Sequence, residues 1–358
     1  MSDGDNGSSG FQTGSDIGPH SFAPAEMITC DECLRANPPT RTNCLYCGAV
    51  LPATGLPASK GATNPQPPTQ PVAGNVQTAS VKSGFYVVLA PVESQVLCES
   101  SLTEAATVLD LKTAEAQIAL NSGRPVPLAR AETIEQATTI ADRLLPQGIG
   151  VEIFREDTLN LDLPVTRIRA LEFTDEGLVA TPLRGERISI KWDDLILIVS
   201  GRWLVKRVVV EERRRRSSAK PLDSRELFSD EPLMDLYASS NDLGVRVYAN
   251  SFDFSCLGTE KSITAAENFT NLLNLLGRRA LKVEVDNTYR GVQAVLGTVW
   301  PLEPQTNKGA WRRSGVGKVD VSTVTTLDNE RQFNSYSRLR QYVKLRDLET
   351  TDEEKAAG

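Results

Sequence analysis

Hydrophobic residues are sparse in the first 83 positions and then recur with the spacing of regular secondary structure. The apolar run at 85–89 is typical of a buried strand. Two capping boxes, at 101–104 and 133–136, predict helix starts. The pattern predicts, in order, a strand at 85–89, helices at 102–109 and 112–121, a strand at 126–129, a helix at 134–145 and a strand at 149–154. This is a small α/β domain of β-α-α-β-α-β order over residues 83–156.

Residues 164–279 show the alternation of a β domain that ends in one helix. Ile188, Ile190 and Trp192, for example, alternate with polar residues, as expected for a strand with one buried face. Strands are predicted at 167–173, 178–183, 188–192, 195–199, 204–210, 233–237, 245–248 and 251–254, with a polar loop before 233. A helix capped by Thr264 follows and is predicted to end at Gly277.

The last segment, residues 280–358, combines basic and aromatic residues and finishes in an acidic tail. A helix is predicted over 328–344. Its apolar residues would lie near one side: Phe333, Tyr336, Leu339 and Val343. Residues 308–346 hold nine Lys or Arg and three Asp or Glu, a local excess of six positive charges. Together these patterns predict a multidomain α+β protein.

The amino-terminal part has the composition of a tethered module. Residues 1–25 are rich in Gly and Ser and contain no Lys or Arg, so we predict a disordered tail. Residues 26–52 hold four clustered cysteines, and residues 53–82 form a Pro-rich linker. The sequence therefore predicts a small cysteine module that is joined flexibly to larger domains.

Composition and charge argue against several function classes. The net charge of the 358-residue chain is −7, so nucleic acid is not expected to coat its whole surface. The single histidine, His20, lies in the predicted tail, which leaves no candidate for Ser-His-Asp or Cys-His catalysis and predicts a protein that is not an enzyme. No apolar run reaches the roughly 20 residues that cross a bilayer, and the first residues lack a secretory pattern. We therefore expect a cytoplasmic protein with reduced cysteines.

The four clustered cysteines have the spacing of a structural zinc site, Cys30-x2-Cys33-x10-Cys44-x2-Cys47. Two residues between thiolates let the backbone turn so that both sulfurs face one metal. The segment is too short for a hydrophobic core, so Zn²⁺ would supply most of its folding energy, about 10–16 kcal/mol in such sites. The alternatives are a redox dithiol, which needs a helix that two nearby prolines disfavour, and two disulfides, which need an oxidising compartment.

This spacing resembles that of Ran-binding-protein-type zinc fingers, whose pattern places an Asn and a Cys where Asn37 and Cys44 stand. The resemblance implies zinc ligation by the four cysteines. Members of that family bind single-stranded RNA or ubiquitin, but Ile28-Thr29 and Leu34-Arg35 replace the residues that mark those ligands. A generic zinc ribbon explains the same cysteines.

Two further resemblances concern the folded domains. The β-α-α-β-α-β order and the run LLPQGIGVEI at 144–153 resemble the C-terminal domain of the bacterial ribosomal stalk protein, which implies that fold for residues 83–156. About seven strands followed by one amphipathic helix resemble the pleckstrin-homology-like fold, which implies a β-barrel capped by the helix over 164–279. Asp175 and Glu176 occupy its first hairpin, where phosphoinositide-binding members carry Lys or Arg.

Basic residues suggest two binding hypotheses. The run Arg213–Arg216 could clamp a phosphate or a lipid headgroup, but we favour a solvated loop between two strands. Four arginines in the aromatic C-terminal region are candidate contacts for single-stranded nucleic acid: Arg312, Arg313, Arg338 and Arg340. Here too we favour the alternative, in which the aromatic residues dock the helix on the body. Cys98 and Cys256 stand alone and are predicted to be packing residues.

The modular layout and the lack of a catalytic constellation favour a non-enzymatic, zinc-binding adaptor that mediates protein–protein interaction with an unidentified protein. One alternative is binding of RNA or single-stranded nucleic acid through the zinc module and the basic C-terminal region. The other is binding of a phosphate or lipid headgroup by the β domain.

Overall fold

The structure, a computed structural model, describes residues 28–29, 36–37, 84–91, 97–215, 218–315 and 318–357. The chain forms two units, Met1–Thr69 and Gln70–Gly358. In the first unit, β1 (Ile28–Thr29) and β2 (Ala36–Asn37) pair antiparallel.

The second unit contains all the other described elements. They are, in chain order, β3 (Phe85–Leu89), α1 (Glu99–Val108), α2 (Thr113–Leu120), β4 (Pro127–Ala131), α3 (Ile134–Leu144), β5 (Val151–Arg155), β6 (Thr166–Phe173), β7 (Gly177–Pro182), β8 (Ile188–Lys191), β9 (Leu195–Arg215), β10 (Ser218–Ala238), β11 (Asn241–Tyr248), α4 (Ala265–Arg279), β12 (Glu284–Asp286), α5 (Tyr289–Val299), β13 (Gln305–Gly315), β14 (Lys318–Asp328) and α6 (Glu330–Ala357).

The small α/β domain has the predicted β-α-α-β-α-β order, with its strands in the antiparallel order β4-β3-β5. The predicted cap of α3 is confirmed, because the side chain of Thr133 accepts a hydrogen bond from the Gln136 amide. The predicted start of α1 is wrong. That helix begins at Glu99, and the Ser101 hydroxyl accepts a hydrogen bond from the Cys98 thiol instead of capping the helix.

The β region is a curled half-barrel sheet with the order β13-β14-β9-β10-β11-β6-β7-β8, and β12 lies parallel to β9. Neighbours along this path are antiparallel except β11 and β6. The predicted polar loop before residue 233 is wrong, because β9 and β10 are continuous strands of 21 residues each. Their charged residues pair across strands, as Lys206 does with Glu226 at 3.1 Å. The strand predicted at 251–254 is also wrong, because two 3-10 helices occupy this part of the chain.

Helices cover both faces of the inner part of the sheet. Helix α4 begins after the predicted cap, since Thr264 accepts a hydrogen bond from the Glu267 amide, and it continues past Gly277 to Arg279. Its Leu272 and Leu276 pack with one face of the sheet in a single apolar cluster. Residues of α5 and α6 pack on the other face, in a cluster that contains Val199, Leu233, Tyr289, Phe333 and Tyr336.

Helix α6 contacts both the large sheet and the small domain. The four apolar residues predicted to share one side are all buried, at 0–2 % exposure: Phe333, Tyr336, Leu339 and Val343. Phe333 lies so close to Gly201 of β9 that a Cβ there would come within 2.6 Å of the ring. Leu339 and Val343 pack with Tyr86 of the small domain. In the part of the chain that the structure describes, no helix is long and apolar enough to cross a membrane.

A buried ion-pair network attaches α6 to β12. Arg340 lies 2.5 Å from the Asp286 carboxylate and 2.6 Å from that of Glu284, and Tyr336 donates to Asp286 at 2.9 Å. Burial alone would raise the pKa of Asp286, but the charge of Arg340 and the hydrogen bonds from Thr288 hold that pKa below its usual value. The carboxylate therefore stays ionised in the core.

We expect the substitution Arg340→Met to lower the free energy of unfolding by about 3–5 kcal/mol, because it leaves Asp286 buried without a counter-charge. Chemical denaturation measures this loss. The matched control is Arg331→Met on the same helix, whose side chain is 79 % exposed and pairs only at the surface. That change should cost no more than about 1 kcal/mol. Equal losses in the two variants would contradict a structural role for the buried pair.

Candidate protein-interaction surface

The four predicted zinc ligands, Cys30, Cys33, Cys44 and Cys47, lie outside the described residues. Strands β1 and β2 pair in antiparallel register on either side of residues 30–35, which contain the first cysteine pair. In the parts of the chain described, no group of three or more His, Cys, Asp or Glu side chains is placed to hold a metal.

Two of the predicted nucleic-acid contacts, Arg338 and Arg340, lie in the interior at 2 % exposure each. Arg338 donates to the backbone carbonyls of Leu163 and Pro164, at 3.1 and 2.7 Å. Arg340 pairs with the two carboxylates of β12. Neither guanidinium reaches the surface, so both have structural roles here. Apart from Gln341, which accepts a hydrogen bond from Arg338 at 2.8 Å, these partners are more than 50 residues away along the chain, so the sequence pattern alone gives no sign of them.

The other two candidate contacts, Arg312 and Arg313, lie in β13 at the outer edge of the sheet. In the strand register, Arg312 is opposite Asp320 and Arg313 is opposite Val319. The four arginines predicted together therefore occupy two separate places, the helix α6 and the edge strand β13.

Strand β13 belongs to a four-stranded extension of the sheet that we call the arm. The arm consists of β13, β14 and the outer parts of β9 and β10, residues 205–215 and 218–230. Strand β10 pairs with β11 only from Leu233 onward, and β12 pairs with β9 only at 197–199. Among the described residues, β13 and the outer part of β10 therefore have a neighbour on one side only.

No described side chain of the arm is buried. The largest apolar groups lie on the outer part of β10, where Phe228 is 72 % exposed and Leu227 is 56 % exposed. Because adjacent strand residues point to opposite faces, these two side chains present apolar surface on both sides of the arm. Leu222, further along the same strand, is 44 % exposed.

Cross-strand ion pairs connect the strands of the arm. Arg213, the first residue of the four-arginine run, lies 2.8 Å from the Asp320 carboxylate of β14. The loop predicted for Arg213–Arg216 is therefore wrong at Arg213–Arg215, which belong to β9. Such exposed pairs stabilise little, but they favour one register over another. The arm thus has a defined strand register, uncovered faces and unpaired edges. Sheets bind other proteins through such faces and edges.

Both single cysteines were expected to pack in the interior, and this is wrong for Cys98, which is exposed. Hydrogen bonds with the hydroxyls of Ser100 and Ser101 lower the pKa of its thiol from 9.0 to about 7. Cys256 packs against the cluster beneath α4, and burial raises the pKa of its thiol to about 11. The two cysteines therefore differ in both access and ionisation.

At pH 7.5 we expect iodoacetamide to alkylate Cys98 at least tenfold faster than Cys256, because the thiolate is the reactive form and only Cys98 is exposed and substantially ionised. Peptide mass spectrometry against time measures both rates. Replacing Ser100 and Ser101 by Ala should shift the midpoint of the Cys98 pH–rate profile upward from about 7. An unchanged midpoint would show that the two hydroxyls do not lower this pKa.

Comparisons with protein-family models, with curated proteins and with solved structures each gave no match. The resemblances to the Ran-binding-protein-type finger, the stalk-protein C-terminal domain and the pleckstrin-homology-like fold therefore stay predictions.

Proposed function

We propose that this protein is a non-enzymatic, zinc-binding adaptor of the cytoplasm that binds a protein partner through the arm. The observation that carries the proposal is that the arm exposes Phe228, Leu227 and Leu222 while none of its described side chains is buried. Scattered apolar residues are common on protein surfaces, but a group of large exposed ones along one edge strand is typical of an interaction site.

The base of the arm is fixed to the body, which suits an element that must present a surface to a partner. The side chain of Asn329, just before α6, accepts a hydrogen bond from the Leu204 amide at 2.7 Å. The same side chain donates to the Arg202 carbonyl at 2.9 Å and to the Tyr289 hydroxyl at 3.0 Å. Because β9 and β10 run without a break from the core into the arm, a bound partner would be held in a defined orientation.

The zinc module would supply a second, tethered binding element. The paired CxxC spacing supports Zn²⁺ ligation by Cys30, Cys33, Cys44 and Cys47, and the antiparallel strands that flank residues 30–35 suit a cysteine knuckle between them. With four thiolates and no open position, the metal would stabilise the fold of this segment and would not catalyse a reaction.

Purified protein should contain one zinc ion per chain, measured by inductively coupled plasma mass spectrometry. The variant Cys44→Ser/Cys47→Ser should lose this zinc, because two of four ligands are removed. The control Cys98→Ser/Cys256→Ser removes the same number of thiols and should keep it. Zinc-free protein with an intact mass about 4 Da low, the loss of four hydrogens, would support two disulfides and contradict the metal site.

In capture from nuclease-treated lysate of the source organism, Leu227→Ser/Phe228→Ser should reduce recovery of the partner about tenfold or more, since central aromatic contacts dominate interface energies. The control is Ile263→Ser/Leu281→Ser, which removes two large apolar side chains that are even more exposed, at 101 % and 91 %, and lie outside the arm. Quantitative mass spectrometry compares the two. Equal recovery from both variants would contradict binding through the arm.

Nucleic-acid binding is the second candidate, and one observation favours it. Strand β13 carries Lys308, Arg312 and Arg313 and no acidic residue. Captured material that disappears on nuclease treatment, with an affinity that falls steeply with salt, would support this candidate over the adaptor. The headgroup hypothesis has less support, because the Arg213 guanidinium is paired with Asp320.

A further inference from the structure

A cleft of about 930 Å³ opens between the small α/β domain and the first turns of α6. The domain contributes Tyr86 and Glu156, the segment after α5 contributes 300–303, and the helix contributes Gln332 and Ser335. This volume is near the upper end of the range for small-molecule sites, so the cleft has room for several peptide residues. Gln305 and Asp328, at the inner ends of β13 and β14, contribute to the lining. The exposed apolar residues proposed to bind the adaptor's partner, Leu222, Leu227 and Phe228, do not line the cleft.

Part of the cleft floor is held rigidly by hydrogen bonds. The Trp300 indole donates to the Tyr86 hydroxyl at 3.0 Å, and that hydroxyl donates to Glu156 at 2.9 Å. Gln332 accepts from Tyr289 at 3.1 Å and donates to the Trp300 carbonyl at 2.9 Å. These groups are already satisfied within the protein and would position a ligand mainly by shape.

Ser335 differs from the other polar groups of the floor. It is 5 % exposed, lines the cleft, and has no hydrogen-bond partner among the described residues. Its hydroxyl oxygen is not among the fully buried polar atoms that lack a partner, so it is accessible from the cleft, where a ligand or a water can pair with it. The geometry therefore leaves one donor and acceptor free at the floor of the cleft.

The cleft is also acidic. Its lining includes five carboxylates and two arginines: Glu156, Asp157, Asp162, Glu303, Asp328, Arg130 and Arg331. The first three carboxylates each have an arginine partner within 4.0 Å. Glu303 and Asp328 have no ion-pair partner in the described part of the chain. Asp328 accepts a hydrogen bond from the Glu330 amide at 3.1 Å. Because the amide is uncharged, this bond does not neutralise the negative charge of Asp328.

We infer that this cleft binds an extended peptide segment that carries lysine or arginine. The cation would lie near Glu303 and Asp328, which lack counter-charges. A backbone group of the peptide would pair with the Ser335 hydroxyl. Apolar side chains of the peptide would contact Leu302, which is 40 % exposed at the rim. A nucleic acid would be repelled by the same carboxylates.

Fluorescence anisotropy with two labelled heptapeptides tests this inference. We expect Ala-Leu-Lys-Ala-Leu-Lys-Ala to bind the full-length protein at least tenfold more tightly than the peptide with Glu in place of Lys. Added salt should weaken the binding, because the attraction is partly between exposed charges. Equal affinity for the two peptides would overturn the inference.

Variants locate the binding. Glu303→Gln/Asp328→Asn should reduce affinity for the Lys peptide at least tenfold, and Asn retains the ability to cap α6. The matched control, Asp175→Asn/Glu176→Gln, makes the same change of charge at the exposed β6–β7 turn and should leave affinity unchanged. Ser335→Ala should weaken binding severalfold without altering charge. An equal loss in the control, or binding of free spermidine as tight as that of the peptide, would contradict a peptide site here.

Discussion

The second unit depends on the two carboxylates of β12, the half-buried Glu284 and the fully buried Asp286, and on the cations that surround them. Arg340 bridges the two carboxylates, and Lys344 of the same helix lies 2.9 Å from Glu284. Arg124, from the small α/β domain, pairs with Glu284 as well. One short strand thus joins the large sheet, α6 and the small domain through charges. A buried charge without a counter-charge is strongly destabilising, so this network restricts how the sheet, α6 and the small domain can pack together.

Apolar side chains of α6 pack against the same parts of the second unit that the ion pairs connect. Phe333 and Tyr336 of α6 belong to the core on one face of the sheet, while Leu339 and Val343 pack with the small domain. Asn329, at the start of the same helix, fixes the base of the arm by bonding to Arg202 and Leu204. The helix therefore sets the position of the arm as well as that of the small domain. The second unit is therefore a body built around α6 that carries the uncovered arm.

The sequence predicted those features of the fold that depend on residues close together in the chain. The threonine caps at 133 and 264, the order of elements in the small domain and the buried side of α6 follow from spacing within one or two turns. Apart from the strand predicted at 204–210, the arm was missed because its charged residues resemble a loop when read along the chain. They are compatible with strands because their partners, such as Asp320 for Arg213, lie on another strand more than 100 residues away.

The candidate sites likewise divide into those that a local motif indicates and those that depend on residues distant in the chain. The cysteine spacing is a local motif, so a zinc site could be proposed from it directly. Arg338 and Arg340 appear basic and available in the sequence, and only the folded structure reveals the carbonyls and carboxylates that occupy them. The cleft beside Tyr86 is formed by five segments that are distant in the chain, and no pattern in any one of them indicates it.

Native-state hydrogen exchange across the whole chain tests the central claim, a body built around α6 that carries an uncovered arm. We expect the amides of α6, β12 and β3 to exchange slowest, with a shared free energy of opening, because the network joins them into one cooperative unit. Amides in the outer arm should exchange with a distinctly lower free energy. Independent opening of the small domain, or an arm as protected as the core, would contradict this organisation.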